Sequence, residues 1–593
     1  MSSKNKQSKN RPQTVVQENK FVVFGLLGVF LVLVFFASSY KITGDDDFFW
    51  HLATGRFIVE NKFVPDKDVF GFVSEGTEWI PFEWGWDLLT YGLYNIGGYN
   101  SILIFRSLAF CFVFLLYYLL LRKFKVHWLV SIVILFCLLI GIMDRLSPRP
   151  HIITYIFFVT LLYLLMSFRY FDREAWMKRL YFLPLIFLIW GNSHMGVLAG
   201  GLLLFLFTLS EVISYFNPKS FSSNEIKPLT KEQLKLLLII SIVCALMLLV
   251  NPHGIQTYLY AYSHTKMKML ETVNEWRSPF TAAMDFGFVL TMFKVFVFAG
   301  VIILIYAFKK KDLTFALVCL GFVIYSVRAI RFTVDYEIII AFFLAVSINY
   351  FVSNFLSKRI PMQNVLNGIF PKAVVGIFII YVISQIPSNK IYEWIKYYRV
   401  SGWGINSDFI PVQLFDFKKE NNISGRVYNH FGTGGYMVWN FPGEKNFIDS
   451  RNLSDEVFNE YNSVMSMRTG FEKKLEQYGV DYVIYLDPDL VRRPDDLKKL
   501  VTSYFSRSKD WKLVFWDDKS MLFVKDIPKF KEVIEKYEFK VLNPYTALFH
   551  PQDFIFNYKS MNERAKEEIK MKSVSEPNGY LFKSMTEKIS KIK

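Results

Sequence analysis

The sequence predicts a mainly α-helical membrane protein with about eleven transmembrane helices. Interfacial helices are predicted in its first outer loop, and a small α/β domain on the C-terminal, periplasm-facing side. Three observations predict this class. Apolar runs of roughly 20 residues, the length that crosses ~30 Å of hydrocarbon, recur along the first part of the chain. Lys and Arg collect in every second loop between those runs. After about residue 400 the long runs stop, and short β-rich stretches alternate with helical ones.

Composition narrows the class further. Of 593 residues, 52% are hydrophobic and 18% aromatic, with 61 Phe, and the mean hydropathy is +0.26. A net charge of +16 would suggest nucleic acid in a soluble chain. Here much of that charge lies in short loops and no recognition fold accompanies it, so the reading is topology, with no nucleic-acid partner. Cys111, Cys137, Cys244 and Cys319 all lie inside apolar runs, which suits packing rather than a disulfide framework or a zinc site.

Residues 1–20 read as a basic cytoplasmic tail, with Lys4, Lys6, Lys9, Arg11 and Lys20. The run from Phe21 to about Phe36 is long for a leader and reads as an uncleaved signal anchor. The polytopic part covers 21–387. Its spans fall at about 21–39, 101–121, 128–143, 151–168, 181–192, 197–216, 235–250, 286–307, 313–328, 336–355 and 373–387. With all of them counted, the turns around Lys123, Arg173, Lys227, Lys310 and Arg359 share one side, which the positive-inside rule makes cytoplasmic. Dropping either member of the short pair 181–192 and 197–216 breaks that parity. The other side receives the loops 40–100, 144–150, 193–196, 251–285 and 329–335, and everything after about 388.

In the loop 40–100, Phe48–Val59 and Phe82–Ile96 carry helical apolar periodicity. They suit short interfacial helices, with Trp50, Trp79, Trp84 and Trp86 at headgroup level. The α/β domain spans 388–527. Strands are predicted at Arg426–Tyr428, Tyr436–Trp439, Asp481–Leu486, Lys512–Trp516 and Met521–Val524, and helices at about 454–465, 469–479 and 495–506. Asp517–Ser520 has hairpin-turn chemistry. The segment 528–593 is charged and helix-prone, a helical tail partly disordered towards its end.

Candidate chemistry gathers in the predicted outer loops. Asp45, Asp46 and Asp47 follow the first span. They suit either a solvated turn with Asp47 as helix N-cap, or a carboxylate held at the lipid boundary as general base or as part of a divalent-cation site. Glu83 sits among Phe82, Trp84 and Trp86, company that raises a carboxyl pKa and suits acid–base work. Arg145, Arg149, Arg328 and Arg331 lie at outer span ends against the positive-inside trend, where arginine either snorkels or grips a lipid-linked phosphate. His194 and His253 mark two outer turns, and His51 follows the acidic run.

The run Asp45-Asp46-Asp47-Phe48-Phe49-Trp50-His51-Leu52-Ala53-Thr54-Gly55 resembles a group of bacterial membrane proteins similar to glycosyltransferases of superfamily C. The resemblance continues through Glu83-Trp84, Arg149-Pro150, Trp190–His194, Asn251–Gly254, Glu275-Trp276-Arg277-Ser278-Pro279, Gly434-Gly435-Tyr436 and Ile448-Asp449-Ser450-Arg451. It implies a protein of the bacterial inner membrane that takes a sugar from a polyprenyl-phosphate carrier on the outer face. An acid in the first outer loop would act as base or position the acceptor, and the matching residues are Asp45 and Asp47. The chain departs from the pattern at Asp46, which adds a third acid, and at Phe49, where the pattern has Trp.

The resemblance implies Asp45 and Asp47 as catalytic carboxylates; the reading of the residues adds Glu83 to them, and His51, Arg149, His194, Arg328 and Arg331 for substrate and phosphate. The donor would be a lipid-linked sugar, and the acceptor an envelope glycan, lipid or protein. A flippase for lipid-linked glycans would need polar groups deep in the spans, and Arg106 and Lys294 are the main ones. A non-catalytic scaffold displaying its outer domain would use the acidic loop only as structure.

Overall fold

The computed structural model describes residues 18–44, 46–221, 226–281, 287–356, 358–396, 398–451, 454–486 and 501–591. Contacts divide the chain into two units. One comprises Met1–Tyr40, Leu103–Val250 and Asn274–Gly402, the other Lys41–Ile102, Asn251–Val273 and Trp403–Lys593.

The first unit is built of apolar helices, which close every backbone hydrogen bond within the segment and so can tolerate lipid. Helices occupy all eleven predicted stretches. By length and composition, six helices among the described residues can each cross a membrane: Lys20–Ser38, Trp84–Lys123, His151–Tyr170, Val197–Phe216, Phe288–Lys310 and Ile330–Leu356. A seventh span results if Pro361–Asn367 and Ile369–Ser384, bent by 44°, count as one. Eleven were predicted. The shortfall is one of length, since Trp128–Gly141 and Leu313–Ser326 have 14 residues each, a rise of only about 21 Å. Lys231–Met247 has 17 residues, and Leu183–Gly191 has only 9.

The polar groups expected deep in the spans have local partners. Arg106 donates to the Tyr40 carbonyl at 2.8 Å and lies 4.3 Å from the centre of its ring. Lys294 lies over Phe280. A further buried arginine, Arg169, faces Glu211 and Asp312, and the Tyr170 hydroxyl donates to Asp312.

The second unit centres on a four-stranded sheet. Its strands are β1 (Val427–Asn429), β2 (Tyr482–Leu486), β3 (Trp511–Trp516) and β4 (Ser520–Lys525), in the order β1-β2-β4-β3. β1 and β2 are parallel, and the other pairs are antiparallel. The β3–β4 turn forms as predicted: the Asp517 carboxylate accepts the N–H groups of Lys519 and Ser520 and the Ser520 hydroxyl. Helices Asp455–Met465 and Phe471–Gln477 lie where expected. Of the predicted helix 495–506, Thr502–Phe505 is helical and 495–500 lies outside the described residues. From Lys531 the chain is largely helical, and Phe554, Leu581, Phe582, Met585 and Ile589 join Tyr428, Val483 and Phe523 in one core.

Three local readings change. Tyr436–Trp439 is not a strand but part of the helix Gly434–Asn440. Tyr436, Met437, Val438 and Trp439 are all buried, and a run apolar on every side has no period to distinguish helix from strand. Trp79 and Trp86 are buried inside the protein, at 4% and 1% exposure, and are not available to headgroups. Asp47 is not an N-cap, because the helix Asp46–Asn61 already includes it. That helix packs on Gly434–Asn440, where Arg56 donates to the carbonyls of Val438 and Trp439 and covers the Trp439 ring. It also approaches the helix that starts at Trp84. A Cβ at Gly55 would lie 2.1 Å from the Asp87 carbonyl oxygen, so only glycine fits there.

Candidate functional site

Two polar clusters hold most of the predicted residues, one in each unit. In the second unit, the helix Asp46–Asn61 presents His51 to the first turn of the helix Trp84–Lys123. His51 Nδ1 lies 2.5 Å from Asp87 Oδ1, and Nε2 lies 3.7 Å from Glu83 Oε2. The Trp50 indole covers the imidazole with ring centres 3.7 Å apart, and its N–H donates to Asp47 Oδ1 at 3.3 Å. His51 and Asp87 are almost fully buried, whereas the Glu83 side chain is 16% exposed. A buried carboxylate, an imidazole and a partly exposed carboxylate thus follow one another. Predicted residues Asp47, His51 and Glu83 are brought together here. Asp45 lies outside the described residues.

Asp87 was missed by sequence reasoning, although a signal was present. It follows Glu83 by four residues in a stretch read as helical, which puts the two carboxylates on one face. A carboxylate in that position cannot remain in an aromatic environment without a cation or a donor.

In the first unit, the cluster forms at helix ends. Arg145 closes the short 3-10 turn after Trp128–Gly141, and its guanidinium donates to Glu275 at 2.9 Å. Asp144 lies beside it, at 3.6 Å. Burial acts to raise the Glu275 carboxyl, but Arg145, Arg331 and Arg149 together outweigh it and bring it down to about 2. Asp144 goes the other way: burial raises it against the pull of Arg145 and Arg399. Arg331 stacks 4.3 Å over Trp276, and the Ile330 N–H donates to the Arg277 carbonyl, which ties the two loops together.

His194 sits in the same environment as a neutral ring. Gly196 N–H donates to its Nδ1, and the Thr154 hydroxyl, which accepts from Trp190 Nε1, lies 2.6 Å from the same nitrogen. Burial first, then Arg331 and Arg145, push its imidazole down to about 3. The structure therefore groups Arg149, Arg331 and His194 around Arg145 and Glu275, and leaves Arg328 exposed. Glu275 was quoted in a motif but not recognised as part of a site. Its signal was the arginine excess itself, since buried cations need a counter-charge.

A third network in the second unit is structural. Arg451 donates to Asp449 through Nε and one terminal nitrogen and to Asp68 through the other, at 2.7–2.8 Å, above Trp79. Among the described residues, no group of three or more His, Cys, Asp or Glu side chains is arranged to hold a metal ion.

Neither a family model nor a curated protein sequence matches the chain. Solved structures do. The apo oligosaccharyltransferase of Archaeoglobus fulgidus aligns over 79% of this chain and 70% of its own, with a TM-score of 0.52 and 12% identity. The oligosaccharyltransferase AglB of the same organism, in complex with an inhibitory peptide and a dolichol-phosphate, aligns over 86% and 75%, with a TM-score of 0.51 and 12% identity. At that identity the likeness is one of fold.

Proposed function

We propose that this chain is a membrane glycosyltransferase that moves a sugar from a polyprenyl-phosphate carrier to an envelope glycan, lipid or protein acceptor on the outer face of the bacterial inner membrane. The shared fold supports the reaction class. The observation that carries the donor assignment is the set of three arginines, Arg145, Arg149 and Arg331, around Glu275 and Asp144. Asp335 also faces Arg145 and Arg331, and arginine forks match phosphate oxygens. In this reading the cluster holds the lipid phosphate and steadies it as leaving group, which is stabilisation of charge where it develops. Arg328 and His194 belong to the same end of the donor. Asp45, Asp47 and Glu83 serve the acceptor, one of them taking the proton of its hydroxyl. A divalent cation at Asp45 and Asp47 is an alternative use of those acids.

Lipid binding tests the donor half. Protein in nanodiscs should retain polyprenyl phosphate over the neutral polyprenol when examined by native mass spectrometry. Arg149→Gln and Arg331→Gln should each weaken retention about 10-fold or more, the worth of one charge-assisted hydrogen bond. Equal retention of phosphate and alcohol by the wild type would contradict the assignment.

A further inference from the structure

The second unit contains a buried carboxylate, Asp87, set against His51. Asp87 is fully buried. One of its oxygens lies 2.5 Å from His51 Nδ1, and the other has no hydrogen-bond partner among the described residues. Burying a carboxylate this way is costly, and a purely structural role would satisfy both oxygens. Two buried carboxylates of the same unit do so: Asp449 accepts through both oxygens, from Arg451 and Asn446, and Glu568 accepts three backbone N–H groups. Asp87 instead spends its position on a single imidazole nitrogen.

That contact fixes the chemistry of the other ring nitrogen. With Nδ1–H directed at Asp87, His51 presents Nε2 as an acceptor, and Nε2 faces Glu83 at 3.7 Å. Trp50 packed on the ring and Gly55 against the Asp87 backbone keep the imidazole from turning. Among the described residues, the carboxylates near the ring include Asp87 and Glu83 from the facing helix, and Asp47, on the ring's own helix, held through Trp50.

We infer that Asp87 is a positioning residue that sets His51 as the proton store behind Glu83. This rests on the glycosyl-transfer reading and deepens it. The acceptor oxygen forms its bond to the sugar C1 while the C1–O bond to phosphate breaks, and the electron pair leaves on the lipid phosphate. The acceptor's proton passes to the Glu83 carboxylate and then to His51 Nε2, and Asp87 stabilises the resulting imidazolium. A base that passes its proton on is again an anion when the next acceptor arrives, which a lone carboxylate in aromatic company achieves slowly.

Two readouts test it. In protein with isotope-labelled histidine, the His51 Nδ1–H should give a far-downfield NMR signal, assigned by its loss in His51→Gln and lost also in Asp87→Asn. In a transfer assay with lipid-linked sugar, Asp87→Asn and His51→Gln should each lower kcat about 10²-fold with KM little changed, and the double variant should be no worse than either single. If Asp87→Asn does not fold, Glu83→Gln, at a partly exposed position, reads the other end of the relay and should lose kcat equally. A wild-type spectrum without the signal, full transfer by either single variant, or losses that multiply in the double variant would overturn the relay. If the wild type transfers from no donor, the glycosyl-transfer reading falls and the relay with it, and the NMR signal then marks a structural pair.

Discussion

Arg145 and Arg451 each sit against two carboxylates, and their surroundings separate a site from a strut. Arg451 spends its donors on Asp449 and Asp68, rests on Trp79 and is nearly fully buried. Removing it strands two carboxylates. Arg451→Leu should therefore destabilise the protein by about 3–5 kcal/mol, and Lys should not rescue it, since an ammonium cannot form the paired bonds. Thermal unfolding of the purified variants checks this, and an unchanged Tm for the Leu variant would show the network to be idle. Arg145 has neighbours of its own sign instead, Arg149 among them. Glu275 is the anion that makes this tolerable, and its carboxyl is held down at about 2 against an ordinary value of 4.5. A depressed acid stabilises the fold above its unfolded pKa and loses that contribution as pH falls to its folded one. The Tm gap between wild type and Glu275→Gln should thus be constant above about pH 5 and close progressively towards pH 2. A gap that widened on acidification would refute the ion-pair account.

Helices were the legible elements. Long apolar runs gave all eleven helical stretches, because backbone satisfaction in lipid leaves few alternatives. The β3–β4 hairpin was also legible, since Asp517 and Ser520 carry turn chemistry in their side chains. What failed was periodicity where burial is complete. Tyr436–Trp439 is apolar on every face and read as a strand, and Trp79 and Trp86 read as headgroup anchors because sequence cannot distinguish a protein interior from a lipid one. The candidate site was half legible. Asp47, His51, Glu83, Arg149, Arg331 and His194 stood out by type and position. Asp87 and Glu275 did not, because a counter-ion is recognised only by what it faces. The short helices Trp128–Gly141, Leu183–Gly191 and Leu313–Ser326 decide the topology. If each crosses the membrane, reporter fusions after Lys125, Lys235 and Lys311 should read cytoplasmic, and those after Gly97 and Lys390 outside. A cytoplasmic reading at both Gly97 and Lys390 would remove the acidic loop from the outer face.

The molecule as a whole shares the fold of the archaeal oligosaccharyltransferase and carries two polar clusters, one arginine-rich in the first unit and one carboxylate-rich in the second. A flippase would need polar groups lining a path through its spans; Arg106 and Arg169 face local partners, while the Glu337 carboxyl, buried in Thr333–Leu356, has no hydrogen-bond partner among the described residues. A scaffold would account for the Arg451 network but gives Asp87 and His51 no task. The central measurement is transfer itself. Wild-type protein, supplied with polyprenyl-phosphate-linked sugars and a membrane extract as acceptor source, should form a labelled glycoconjugate. The Asp45→Asn/Asp47→Asn double variant, at matched expression, should lose about 10-fold or more in kcat/KM, the worth of a charge-assisted hydrogen bond to the acceptor beside the Glu83 base. Undiminished transfer by the double variant would remove the acidic loop from the mechanism, and no transfer by the wild type from any donor would contradict the account.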